Sequence, residues 1–203
     1  MKYILIAIVV ILILFSFSQK ETNIQPLNPQ DTILAFGDSL TYGYNAEHSE
    51  SYPAVLSHLT GYKVINEGVL GDTSVDGVKR LAPLLEDSNI KLMILCFGGN
   101  DLIQGLSKEN LKNNLKTMIH MAKEKNIEVL LISVPNLGLF GLSAMELYAE
   151  VADEENVPLL SGILANVLSQ PSLKSDQIHP NALGYKMMAE KIYEKLKEES
   201  FIN

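Results

Sequence analysis

From residue 32 onward, short apolar runs alternate with segments whose apolar positions recur at helical spacing. The runs cover residues 32–36, 63–66, 92–97, 128–134 and 157–160. Each has the length and composition of a β-strand, and strands separated by amphipathic helices pair in parallel. Between them the pattern predicts a helix over residues 52–60, closed by Gly61, and another over 74–85 with a break near Pro83. The clearest helix begins after Ser107 as N-cap and puts Leu111, Leu115, Met118, Ile119 and Ala122 on one face. A further helix is predicted over residues 142–156. The last has Pro180 in its first turn and buries Tyr185, Met188, Ala189, Ile192 and Leu196. The expected object is an α/β domain over residues 31–203, a three-layer α/β/α sandwich whose ligand site lies at the carboxyl ends of its strands. Residues 37–43, 67–73, 98–103 and the loop before the last helix then meet at one rim.

The first thirty residues follow a different pattern. Lys2 precedes an uninterrupted apolar stretch over residues 3–14 that continues through Phe15-Ser16-Phe17, after which Ser18-Gln19-Lys20-Glu21 turns polar. As a helix this stretch reaches only about 22 Å, against a hydrocarbon core of about 30 Å. Residues 1–18 therefore read as a signal peptide, with Ser16 and Ser18 at the cleavage positions, or as an uncleaved N-terminal anchor that associates residues 3–17 with a membrane. Either form exports the domain to a periplasmic or extracellular location. Residues 19–30, with Gln, Asn and two prolines, read as a linker.

Composition narrows the function classes. The chain has 203 residues, one domain's worth, and a formal net charge of −8 with no basic stripe, which argues against a nucleic-acid partner. Cys96, the only cysteine, sits inside an apolar run, so it reads as a buried, inert thiol and rules out an internal disulfide. No His-x-His, His-x-x-x-His or thiolate pair suggests a metal site.

Ser39, in Phe36-Gly37-Asp38-Ser39-Leu40-Thr41-Tyr42-Gly43, leaves a strand and enters a Gly-bounded turn. A serine hydroxyl is a poor nucleophile unless a base touches it and a third group orients that base. His48, His58 and His120 fall in a polar loop and two helices and read as surface or packing residues. His179 stands in the loop before the last helix with Asp176 three residues upstream, so one tight turn can put the carboxylate on Nδ1 and leave Nε2 for Ser39. The same residues also describe an ordinary helix N-terminus. Acyl transfer needs oxyanion donors as well, and the candidates are the N–H of Ser39, the N–H of Gly71 and the side-chain amide of Asn100. Asp38, Asp72 and Asp101 are rival acids that read as capping or loop residues.

Gly37-Asp38-Ser39-Leu40, Gly71, Gly99-Asn100-Asp101 and Asp176-x-x-His179 resemble, in order and spacing, the four blocks of the GDSL, or SGNH, hydrolases. Gly71-Asp72-Thr73-Ser74, Gly77 and Arg80-Leu81 resemble in particular the bacterial arylesterase, acyl-thioesterase and lysophospholipase branch. The resemblance implies a flavodoxin-like five-stranded parallel sheet, Ser39 as nucleophile, His179 as base and acid, and Asp176 as its orienter. It implies an oxyanion hole of Ser39, Gly71 and Asn100, hydrolysis of carboxylic esters or thioesters through an acyl-enzyme, and no cofactor. The chain departs from the branch after the fourth strand, where residues 135–142 are apolar. Leu139 and Phe140 of that loop, with Leu70, Leu102 and Ile103, either line an acyl-chain groove or close the core above the sheet. Two other readings stand beside this one. One is an O-acetyl esterase of surface glycans; the other is a non-catalytic phosphate- or flavin-binding module, against which the usual glycine-rich motifs are absent.

Overall fold

The computed structural model describes residues 25–138 and 141–203. The expected leader over residues 1–18, most of the linker, Leu139 and Phe140 lie outside them. Five parallel strands form one sheet: β1 (Thr32–Gly37), β2 (Lys63–Gly68), β3 (Ile90–Cys96), β4 (Glu128–Ile132) and a two-residue strand Leu159–Leu160, in the order β2, β1, β3, β4, Leu159–Leu160. All six residues of β1 are buried, whereas β2 at the edge is only half-buried. The central strands read as continuous apolar runs because helices cover both of their faces.

On one face Tyr52–Thr60 packs against Ala182–Glu198, which also meets Ile163–Ser169. On the other face Ser74–Leu84 packs against Lys108–Glu124, which meets Glu146–Glu155. The helix Lys108–Glu124 starts where expected, since the Ser107 side chain accepts from the N–H of Asn110, and its five apolar positions are all buried.

Four details depart from the sequence expectation. The helix Ser74–Leu84 holds Pro83 in its last turn and ends one residue beyond it, so the proline marks the end of the helix rather than a break within it. The last helix begins at Ala182 with Asn181 as its N-cap, so Pro180 precedes the helix rather than starting it. The segment expected to open a helix at 142 is instead half of a hairpin, Pro135–Gly138 pairing antiparallel with Gly141–Ala144, and the helix starts at Glu146. Pairing with Pro135–Gly138 takes residues 142–144 into the hairpin, which leaves the helix to start beyond it. The helix Ile163–Ser169 was not expected, and its apolar residues Ile163, Leu164, Val167 and Leu168 are buried.

Residues 25–30 form neither helix nor strand, yet Leu27 is only 6% exposed. Its N–H donates to the carbonyl of Phe201 at 2.8 Å and its carbonyl accepts from the Tyr62 hydroxyl at 2.9 Å.

Candidate active site

The turn that presents Ser39 is made by close backbone approach. Gly37 and Gly68 lie opposite each other at the ends of β1 and β2. A β-carbon on Gly37 would run into Thr41 and the carbonyl of Cys96, and one on Gly68 into the backbone of Tyr42. The short helix Ser39–Tyr42 therefore lies across the strand ends, closed by Gly43 in the left-handed conformation at φ 91°. Asp38 is its N-cap: Oδ1 accepts the N–H of Leu40 at 3.0 Å, and the residue is 1% exposed. Burial, opposed by that N–H, pushes the Asp38 carboxyl up to about 7.

Ser39 Oγ stands 3.0 Å from Nε2 of His179, and Nδ1 of His179 stands 2.8 Å from Oδ2 of Asp176. A carboxylate only accepts, so Nδ1 carries the ring proton and the Nε2 lone pair faces the serine hydroxyl. Asp176 Oδ1 accepts the N–H groups of Ile178 and His179, each at 2.8 Å. Burial acts to raise this carboxyl, but the Ile178 N–H and the His179 ring and N–H outweigh it and hold it below the usual carboxylate range. The loop is closed on itself: Ser175 donates its N–H to the carbonyl of His179 at 3.0 Å, and its hydroxyl to the carbonyl of Pro180 at 3.1 Å.

The rival acids are each engaged elsewhere. Asp38 caps its helix, Asp72 pairs with Arg80 Nε at 2.6 Å, and Asp101 accepts both the N–H and the hydroxyl of Ser74, at 2.8 and 2.6 Å. His120 reaches Glu155 at 2.6 Å on the outer helices, away from the rim. Cys96 is fully buried, and burial pushes its thiol up.

Asn100, in the short helix Gly99–Ile103, donates Nδ2 to the carbonyl of Asp72 at 2.9 Å. That bond joins the third rim loop to the second, where Gly71 turns with φ 80°. One amide hydrogen of Asn100 is used in the join and the second is left over. Arg80 fastens the same corner from behind: Nη2 donates to the carbonyls of Gly37 at 2.8 Å and Glu67 at 3.0 Å, and its guanidinium lies 4.3 Å from the centre of the Phe36 ring.

A cleft of about 390 Å³, open mouth included, lies over these groups. Asp38, Ser39, Gly99, Asn100 and His179 supply its polar side, and Leu40, Ile103, Val134, Pro135, Leu168 and Ile178 its apolar walls. Of the residues expected to line a groove, Ile103 does so and is 54% exposed, while Leu70 is exposed outside the cleft and Leu102 packs against the core. Leu168 was missed because its helix was missed. Tyr44 and Asn45 were missed too: the Tyr44 ring centre lies 4.7 Å from that of His179, and Asn45 Nδ2 donates to Asp176 at 3.1 Å. Nothing local in the sequence marks either residue, because both reach partners in the distant loop before the last helix.

Chemically, a hydroxyl on a base that is itself oriented by a carboxylate is suited to attack an acyl carbonyl. The family model of the GDSL-like lipase/acylhydrolase family matches residues 35–187. The chain is 33% identical over 158 residues to an Escherichia coli protein named thioesterase 1/protease 1/lysophospholipase L1, covering 74% of this chain and 76% of that protein. It is 30% identical over 176 residues to esterase TesA of Pseudomonas aeruginosa, covering 82% of this chain and 88% of that one. A crystal structure of TesA superposes with a TM-score of 0.75 at 28% identity, over 83% of this chain and 99% of that chain.

Proposed function

The chain belongs to the GDSL-like lipase/acylhydrolase family and is a serine ester hydrolase, and from that premise we propose that Ser39, His179 and Asp176 are its catalytic triad. The observation that carries the assignment is the relay of contacts, 3.0 Å from Ser39 Oγ to Nε2 and 2.8 Å from Nδ1 to Asp176. As Oγ attacks the ester carbonyl, Nε2 takes the hydroxyl proton, and Asp176 stabilises the imidazolium that forms. The N–H groups of Ser39 and Gly71 and the spare amide hydrogen of Asn100 receive the charge on the carbonyl oxygen. His179 returns the proton to the departing alkoxide or thiolate, leaving Ser39 acylated. Water then attacks the acyl group, His179 takes a proton from it, and the carboxylic acid and the free serine are released.

The apolar walls of the cleft support substrates with a hydrocarbon acyl group, such as lysophospholipids, aryl esters or acyl thioesters. Thioesterase, lysophospholipase and arylesterase are the activities in the names of its relatives. Ser39→Ala should abolish turnover of p-nitrophenyl acyl esters while leaving the circular dichroism spectrum native, and wild-type rates in that variant would overturn the assignment. A chain-length series from acetyl to palmitoyl, on esters and thioesters, separates the substrate classes: medium or long chains favour lipids, and a sharp acetyl preference favours glycan O-acetyl groups.

Among the described residues no helix is long and apolar enough to cross a membrane. For residues 3–17 we propose export, as a cleaved leader or a retained anchor, which N-terminal sequencing of the mature protein decides.

A further inference from the structure

We propose that Asn45 is a positioning residue for the Asp176–His179 pair, completing the set of donors that fixes the carboxylate. This rests on the triad reading above. An ionised carboxylate offers about four acceptor positions, two on each oxygen. In Asp176, Oδ1 is filled by the N–H groups of Ile178 and His179, and one position on Oδ2 by the ring N–H of His179. Asn45 Nδ2 fills the remaining one at 3.1 Å. Its other amide hydrogen points to Ser175 Oγ at 3.2 Å, within the loop that carries both Asp176 and His179.

The Asp176 side chain is 40% exposed, so water competes for any acceptor position the protein leaves free. A carboxylate with an open position can rotate and take the imidazole with it, and the serine–imidazole distance then widens. The route by which Asn45 arrives also matters. It follows directly from the helix that begins with Ser39, through Gly43 at φ 91° and itself at φ 65°, both in the left-handed region. Between them the Tyr44 ring lies against the imidazole, and the Tyr44 carbonyl accepts the Tyr185 hydroxyl at 3.0 Å. Residues 43–45 thus double back from the nucleophile's own helix onto the base and its carboxylate, tying the two halves of the site together.

The titratable groups around the pair are Tyr44 on this segment, Lys174 two residues before Asp176, Asp38 on the nucleophile turn, and Tyr185 on the last helix, whose hydroxyl is pushed up first by burial and then by Asp38 and Asp176.

The test uses the full chain and p-nitrophenyl butyrate, with kcat, KM and kcat/KM followed from about pH 5 to about pH 9. Asn45→Gly keeps the left-handed backbone without strain and removes only the amide. Its kcat should fall by about fivefold, the effect of one lost hydrogen bond, with KM unchanged. Its acid limb should move to higher pH, because a carboxylate with one donor fewer holds the imidazolium proton more tightly. Asn45→Asp retains the shape but adds a negative charge, and should move the acid limb further the same way. An Asn45→Gly enzyme with wild-type kcat and an unmoved acid limb overturns the proposal, as does one that only melts earlier. Ser39→Ala in the same assay separates the two levels of the argument: if it turns over substrate, the triad reading and this proposal fall together. If it is inert while Asn45→Gly behaves as wild type, only the role of Asn45 falls.

Discussion

Asp38 is buried so that its carboxylate can cap the helix that begins with Ser39, and that burial has a pH signature. Its carboxyl is pushed up to about 7 by burial, against an ordinary value of about 3.9 in an unfolded chain. The folded state therefore holds a proton there that the unfolded state has already lost, and stability falls as pH rises from about 4 to about 7. Asn at this position can still accept the Leu40 N–H but has no proton to lose. Asp38→Asn should melt at the same temperature as wild type near about pH 4 and above it at about pH 8, as measured by thermal denaturation at both. Equal melting temperatures at the higher pH would contradict the assignment. Asp176 and His179 are legible from sequence at this scale because three residues of spacing before a helix make their contact a local matter. Asn45 is not legible, since its partner is 131 residues away and nothing in Asn45-Ala46-Glu47-His48 distinguishes a left-handed asparagine from an ordinary loop polar.

The strands and long helices follow from the sequence because each is decided by its own pattern, whether a run buried on both faces or a stripe on one. The hairpin 135–144 and the helix Ile163–Ser169 are decided by neighbours instead. A short apolar segment has the same appearance as strand, helix or loop until the surface that covers it is known. The rim corner depends on tertiary contact in the same way. Arg80 sits on the helix Ser74–Leu84, and its guanidinium joins the ends of β1 and β2 to Asp72 through three bonds of 2.6 to 3.0 Å. A lysine ammonium cannot serve three acceptors in that plane or lie flat on Phe36. Arg80→Lys should lose about 2 kcal/mol of stability, from partly buried carbonyls left unpaired, readable as a lower denaturant midpoint. It should also lower kcat more than it raises KM, because Gly37 precedes the turn that carries Ser39 and Asp72 supports Asn100. A variant with wild-type stability would show that water replaces the guanidinium at no cost.

The two ends of the molecule carry different duties. At the carboxyl ends of the strands lie Ser39, His179 and the cleft, beside exposed apolar side chains such as Leu70 and Ile103. At the amino ends Leu27 is wedged beside Phe201 and under the hydroxyl of Tyr62, just before β1 and β2 begin. Truncation separates these duties. Removing residues 1–18 should change neither the melting temperature nor kcat on p-nitrophenyl butyrate. Removing residues 1–31 also deletes Leu27, whose burial contributes about 2 kcal/mol, and strips Tyr62 and Phe201 of their partners. For a domain of this size that corresponds to a melting temperature lower by about 4 to 8 °C. At a temperature where the shorter domain is still folded, kcat should be that of the longer one, because nothing at the rim has moved. A loss of kcat with native circular dichroism would mean that the two ends are coupled through the sheet.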